Sequence, residues 1–348
     1  VQLRFARSSV TFCAPRDKNI FAQAYEYISL ISLGMVANVF YNLFSSYLRA
    51  VGNSRMPLVF LVLSACLNVV LDLILIINFK MGVAGAAWAT NLSQAISAVL
   101  CAVYIYKKVP ALMPEKRHWR FHKGDTRYQL ATGIPMALQF AITSSGTMVM
   151  QSAINLFGSE AVAAYTAAGK IHGLLTQGMV AMGQTMAVYS GQNYGKGDAG
   201  RIRQGVRAAL IIEVIYSVAS AVVVSAALGP SLGLFFSGEV DLAAMMPWAR
   251  TYTTICTLFY VPLCTIFIFR NTMQGCGYGF LPMMGGVVEL AARLIVAVIA
   301  MDIHSYWLAC ACDPAAWVGA GLFTGISYLY IIKKIEKNLG KGMAVHKS

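Results

Sequence analysis

The sequence predicts an all-α, polytopic membrane protein, and three observations carry that prediction. Of 348 residues, 58% are hydrophobic and only 12% are charged, where an ordinary soluble domain carries about 25% charged residues. The apolar residues gather in stretches of about 20 or more, the length that a bilayer-crossing helix needs. The connections between stretches are short, so no loop can fold as a separate soluble domain.

Nine such stretches follow one another: 23–48, 57–78, 84–106, 130–156, 161–190, 205–228, 243–272, 281–301 and 315–333. Lys and Arg set their orientation. Arg49 and Arg55 follow the first stretch, seven basic residues from Lys107 to Arg127 follow the third, and four from Lys196 to Arg207 follow the fifth. Arg270 ends the seventh, and five lysines lie at or beyond the end of the ninth. This makes 19 of 27 basic residues on one side, which the positive-inside rule assigns to the cytoplasm. The opposite connections hold Glu160, Glu239, Asp241, Asp302 and Asp313, with Lys80 as their one lysine. Arg4, Arg7, Arg16 and Lys18 run against the pattern, because they fall on the outer side.

The net charge of +13 is thus a topology signal and not a nucleic-acid footprint, which would group the bases on a soluble face. Cys66, Cys101, Cys256, Cys264 and Cys276 sit in or beside apolar runs, as small hydrophobes do. Cys310 and Cys312 are expected in one loop, without the histidines of a metal site.

The chain repeats itself. A shift of 225 residues sets Ala24, Tyr27, Leu33, Val36, Phe44, Gly52, Pro57 and Val62 against identical residues, with Arg49–Pro57 facing Gln274–Pro282. Four more residues of shift bring Ala86-Ala87-Trp88 onto Ala315-Ala316-Trp317. On this period the fourth to sixth stretches lack partners, and the chain begins with Val1. Three further spans are therefore expected ahead of it, giving two six-span halves related about the membrane normal, an arrangement found among secondary transporters.

The motifs Gly52-Asn-Ser-Arg-Met-Pro57, Asn68-Val-Val-Leu-Asp72, Gly82 to Thr90, Gly133-Ile-Pro135 and Ser190-Gly-Gln-Asn-Tyr-Gly195, with Gln274-Gly-Cys-Gly277 and Glu289-x3-Arg293, occur in this order. Together they resemble the multidrug and toxic compound extrusion (MATE) transporters from about residue 20 to 334. The resemblance implies twelve helices in two six-helix lobes, of which nine are here. It also implies export of organic, often cationic compounds in exchange for Na⁺ or H⁺. Residues 1–108 would be the C-terminal half of the N-lobe, 109–128 a cytoplasmic connection, 129–334 the C-lobe and 335–348 a cytoplasmic tail.

Ionisable groups inside spans cost about 2.5–3.5 kcal/mol each, so each needs a role or a partner. Asp72 lies 15 residues past Pro57, which is about 22 Å into a core of about 30 Å. Thr90, on the returning span, reaches a similar depth, and Asn68 lies one turn from Asp72 on the same face. A carboxylate, an amide and a hydroxyl at one level form a hard-oxygen site for Na⁺, and a buried carboxylate also takes a proton. By the resemblance, Asn68, Asp72 and Thr90 match the family's N-lobe cation-site positions. A structural, hydrogen-bonded Asp72 is the alternative.

Glu289 and Arg293, four apart on one span, are expected as an intrahelical ion pair, with a substrate contact as the alternative. Lys170 and Glu213 project to mid-membrane on consecutive spans and are candidate partners, or a substrate or proton site. Some family members carry acids in the first and fourth C-lobe helices, where this chain has Gln139, Thr143 and Ser144, and no acid from Ala243 to Thr272. Cation coupling is therefore expected in the N-lobe. Gly52 with Pro57, and Gly277 with Pro282, predict tight cytoplasmic turns that start new helices.

The expected function is a secondary antiporter working by alternating access, multi-pass in the plasma or inner membrane with a cytoplasmic C-terminus. It would be monomeric, contact small organic substrates and lipid but no nucleic acid, and need no cofactor beyond its coupling ion. Two alternatives stand beside it. A lipid-linked saccharide flippase would cluster arginines in a cavity. An intramembrane lipid-modifying enzyme would need a nucleophile or metal constellation, which the five scattered histidines do not supply.

Overall fold

A computed structural model describes residues 18–113, 122–233 and 242–340. Among these residues every regular element is a helix, and the nine apolar stretches all fall on helices. The chain separates into two compact units, Val1–Phe121 and His122–Ser348.

The first unit consists of α1 (Lys18–Ala50), α2 (Arg55–Asp72) with a π-helical turn over Leu73–Asn78, and α3 (Gly82–Lys108), followed by a 3₁₀ turn at Pro110–Leu112. α3 packs on both other helices. Gly34 makes the α1–α3 contact possible, because a side chain there would run into Asn91. The outer faces stay apolar: Leu33, Val36 and Ile77 are 66%, 63% and 62% exposed. Contiguous apolar surface of this kind marks faces that meet lipid or other protein, not water.

The second unit has α4 (Lys123–Ile154), α5 (Ser159–Lys196), α6 (Ala199–Gly233), α7 (Leu242–Leu258), α8 (Tyr260–Gly275), α9 (Phe280–Asp302) and α10 (Tyr306–Gly340), with a 3₁₀ turn at Asn155–Phe157. α4, α10 and α9 pack together, as do α5, α6 and α8. Close approach again falls on glycines: Gly275 meets the Ala187 backbone, and Gly286 meets Gln139.

Among the described residues, six helices are long and apolar enough to cross a membrane, and the pair α7–α8, bent by 51°, makes a seventh span if counted as one. The expected seventh stretch is thus a broken helix, interrupted at Phe259. α4 and α5 are the two of the nine expected spans that fall outside this set. α4 is rich in hydroxyls that bond within their own helix, as Ser145 does to the Ala141 carbonyl (2.9 Å) and Ser152 to Met148 (3.0 Å). Internal satisfaction of this kind is what lets a polar helix lie in an apolar medium.

Two expectations about loop residues need correction. α10 starts at Tyr306, so Cys310, Cys312 and Asp313 lie within a buried helical turn and not in an outer loop. Arg270 is not a surface topology charge; it is 7% exposed within α8. Around Cys310–Asp313 the cause is that Pro314 and the charge interrupt the apolar run without interrupting the helix; Arg270 is drawn inward by its ion pair with Glu289. The expectations placed on Arg4, Arg7, Arg16, Lys116, Arg117, Arg120, Glu239, Asp241 and residues 341–348 lie outside the described residues.

The repeat is written into the backbone. Gly52 (φ 86°) and Gly277 (φ 84°), 225 residues apart, end their helices in the left-handed region. In one turn Gly52 N–H donates to Arg49 (3.0 Å) and Asn53 to Leu48 (2.9 Å); in the other Gly277 donates to Gln274 (2.9 Å) and Tyr278 to Met273 (3.0 Å). These are the paired bonds of a Schellman turn, which needs a residue free of Cβ strain. α2 and α9 then begin at Arg55 and Phe280, again 225 apart. At their far ends the offset falls to 224, between Lys80 and His304, which share a φ of 53°. The one-residue change lies in the π turn. Phe79 N–H bonds to Ile74, five residues back, whereas Ile303 bonds to Ile299, four back. α3 and α10 therefore begin at Gly82 and Tyr306 with an offset of 224, not the 229 that Ala-Ala-Trp suggests.

Candidate functional site

In the first unit the polar groups converge where α2 meets α3. Asn68 Nδ2 donates to Thr90 Oγ1 at 3.4 Å, and Thr90 Oγ1 donates to the Ala86 carbonyl at 3.0 Å. Asp72 stands one turn beyond Asn68, at the last residue of α2 before the π turn. All three side chains are half-buried. Asp72 Oδ1 is itself buried and accepts no hydrogen bond. A carboxylate oxygen removed from solvent without a donor is unfavourable unless a cation or a proton meets it. The amide oxygen of Asn68 and the hydroxyl of Thr90 supply the further hard ligands that Na⁺ prefers.

A π turn adjoins this site. A single widened turn inserts one residue into a helix and recurs at functional positions. Here it follows Asp72 directly, and the corresponding helix α9 has none. Sequence reasoning missed it, because an extra residue inside an apolar run leaves hydropathy unchanged. It also missed the amide ladder beside the site: Asn38 Nδ2 donates to Gln94 Oε1 at 2.7 Å, and Asn42 Nδ2 to Asn38 Oδ1 at 2.8 Å. Gln94 lies one turn beyond Thr90 on α3.

In the second unit Glu289 and Arg293 are ion-paired at 2.9 Å, within a larger cluster. Arg270 Nη2 on α8 meets Glu289 Oε2 at 2.9 Å, and Arg293 Nε meets Asp313 Oδ1 on α10 at 2.7 Å. The four residues are between 3% and 7% exposed. Two guanidinium and two carboxylate charges cancel, which is the condition for burying ions at all. The cluster ties three helices together. Gln139 Oε1 on α4 accepts from Gln274 Nε2 at 2.8 Å, which adds a neutral link. Asp313 joins the cluster because the segment around it is helical and packs on α9.

Lys170 is exposed on α5, and Glu213 is 3% exposed on α6 with its Oε2 lacking a hydrogen bond. His172, expected only as one of several scattered histidines, shares a 2.9 Å hydrogen bond with the Tyr260 hydroxyl and stacks on Trp317 with ring centroids 5.6 Å apart. Gly52 and Gly277 form the tight turns described above, with Pro57 and Pro282 in the first turns of α2 and α9. Among the described residues no three His, Cys, Asp or Glu side chains group as a metal centre.

The profile of the MatE family matches residues 9–74 and 135–299. The "Probable multidrug resistance protein YpnP" of Bacillus subtilis is 33% identical over 181 residues, covering 51% of this chain and 40% of that protein. The "Probable multidrug resistance protein NorM" of Thermotoga maritima is 25% identical over 315 residues, covering 87% of this chain and 64% of its own length. The chain thus spans less than two thirds of these relatives. Among solved structures, a MATE protein crystallised in complex with MaL6 superposes with a TM-score of 0.84 at 20% identity, covering 97% of this chain and 75% of that one. An outward-facing multidrug resistance MATE family transporter gives 0.81 at 20% identity, over 98% and 78%. At that identity these structures speak for the fold, and the family profile speaks for membership. With all-helical units, apolar spans and this profile over most of its length, the chain belongs to the MatE family, a family of membrane transporters and not of enzymes.

Proposed function

We propose that this chain forms part of a secondary antiporter that exports small organic compounds, often cationic, in exchange for Na⁺ or H⁺ taken up at Asp72. The observation that carries the reading is the buried, unbonded Oδ1 of Asp72 next to the Asn68–Thr90 contact. An ion binding there changes the charge of a half-buried carboxylate, and a ligand biases a conformational equilibrium only by such differential binding. Residues 1–108 act as part of one lobe and 129–334 as the other. The protein lies multi-pass in the plasma or inner membrane with its C-terminus in the cytoplasm, and works as a monomer. Relatives described as multidrug resistance and multidrug export proteins support the substrate class.

The flippase alternative needs cavity arginines free to hold phosphates. Arg270 and Arg293 are instead neutralised by Glu289 and Asp313, which speaks against that reading.

The test is efflux of a fluorescent cationic dye from cells expressing the protein, with Asp72→Asn alongside. Extrusion by the parent and a fall to the empty-cell background in the variant, at equal membrane content, is the expected outcome. Undiminished extrusion by Asp72→Asn would remove Asp72 from the coupling site.

A further inference from the structure

The 225-residue register sets the candidate cation site of the first unit against the ion cluster of the second. Asn68 and Arg293 are each the fourteenth residue of their helices, α2 and α9. Each reaches across to the early part of the following helix: Asn68 to Thr90, the ninth residue of α3, and Arg293 to Asp313, the eighth of α10. The position of Asp72 is taken by Ala297, which is fully buried. The same corner of the repeat therefore holds opposite chemistry. In the first unit it presents a carboxylate oxygen without a hydrogen bond; in the second it presents a guanidinium between two carboxylates.

We propose that Arg293 is a tethered cation: in the second unit it fills, as a covalent part of the chain, the place that the first unit leaves to an exchangeable cation beside Asp72. The proposal rests on the reading of Asp72 as a cation site. Three features support it. The quartet Arg270, Glu289, Arg293 and Asp313 is already neutral, so a further mobile cation would meet no uncompensated negative charge. The guanidinium is closely housed, since a Cβ on Gly146 would lie 2.7 Å from Nη1. The π turn that follows Asp72 has no counterpart in α9, where nothing need enter or leave. The consequence is functional asymmetry. At this corner of the repeat the second unit keeps a constant charge through the cycle, and the first exchanges an ion.

The experiment is a gain of binding. The chain is purified in detergent at pH 8, and its melting temperature is followed as NaCl replaces choline chloride at constant ionic strength. Asp72→Asn serves as the background, and Arg293→Met is added to it. The expected result is no sodium response in Asp72→Asn and a saturable rise of about 3 °C in Asp72→Asn/Arg293→Met, lost again when Asp313→Asn is added. A folded double variant that ignores Na⁺ would overturn the proposal and leave Arg293 as a structural clamp. Should Arg293→Met aggregate in both salts, Arg293→Ala with millimolar methylguanidinium takes its place. Recovery of a monodisperse peak supports the tethered cation, and failure to recover overturns it. The parent chain is measured in parallel: a sodium response that is the same in the parent and in Asp72→Asn would remove the first-unit site and with it the comparison, whereas a response lost in Asp72→Asn but not regained in the double variant would overturn the Arg293 proposal alone.

Discussion

Asn68 and Arg293 occupy one position in two helices that each follow a Schellman turn, the two turns 225 residues apart. One bonds a hydroxyl across its helix interface at 3.4 Å and the other a carboxylate at 2.7 Å. Equivalent backbone positions thus carry an uncharged contact in one unit and an ion pair in the other.

The π turn gives the sharpest prediction about coupling. Deleting Ile76 should convert Leu73–Asn78 into an ordinary α turn, as at the end of α9, because that helix closes with one residue fewer. Melting temperature should stay near that of the parent, while cation-coupled dye efflux should be lost. A deletion variant with normal efflux would reduce the π turn to a packing detail.

The two shared turns should respond unequally to alanine. At both Gly52 and Gly277 a Cβ meets left-handed strain of about 1–2 kcal/mol. At Gly52 the added atom enters open space, whereas at Gly277 it collides with the Tyr128 hydroxyl. Gly277→Ala should therefore lower the melting temperature more than Gly52→Ala. Truncating Tyr128 to Phe should narrow the gap, and equal shifts would contradict this account.

The Gln139–Gln274 bond offers a test of packing between α4 and α8. Gln139 is 3% exposed and its Oε1 accepts from Gln274 Nε2 at 2.8 Å. A double-mutant cycle with Leu at both positions should return a coupling of about 0.6 kcal/mol, up to about 1.7. Chemical unfolding in mixed micelles would measure it, and strictly additive losses would show that the bond contributes nothing of its own.

Much of the molecule is legible in its amino-acid sequence. Apolar stretches of span length place a helix at all nine positions, because lipid admits only segments that satisfy their own backbone. The Asn68–Thr90 contact, with Asp72 one turn further along α2, is foreseeable because helix periodicity and a short hairpin suffice to bring α2 and α3 together there. Arg270 and Asp313 cannot. In sequence Asp313 looks like a loop charge and Arg270 like the cytoplasmic end of a span, and only their packing against α9 reveals two halves of a buried cluster.

Composition and periodicity by themselves determined the class of this protein, its helices and its repeat. These properties follow from local rules: bilayer thickness, 1.5 Å of rise per residue, and glycine's freedom at a turn. Only the tertiary structure decided that a π turn follows Asp72, that α7 and α8 break at Phe259, and that Arg293 is held between Glu289 and Asp313. The physical reason is that hydrogen-bond register within an apolar run, and charge neutralisation between distant helices, leave hydropathy untouched. They are settled by which side chains meet when the helices pack.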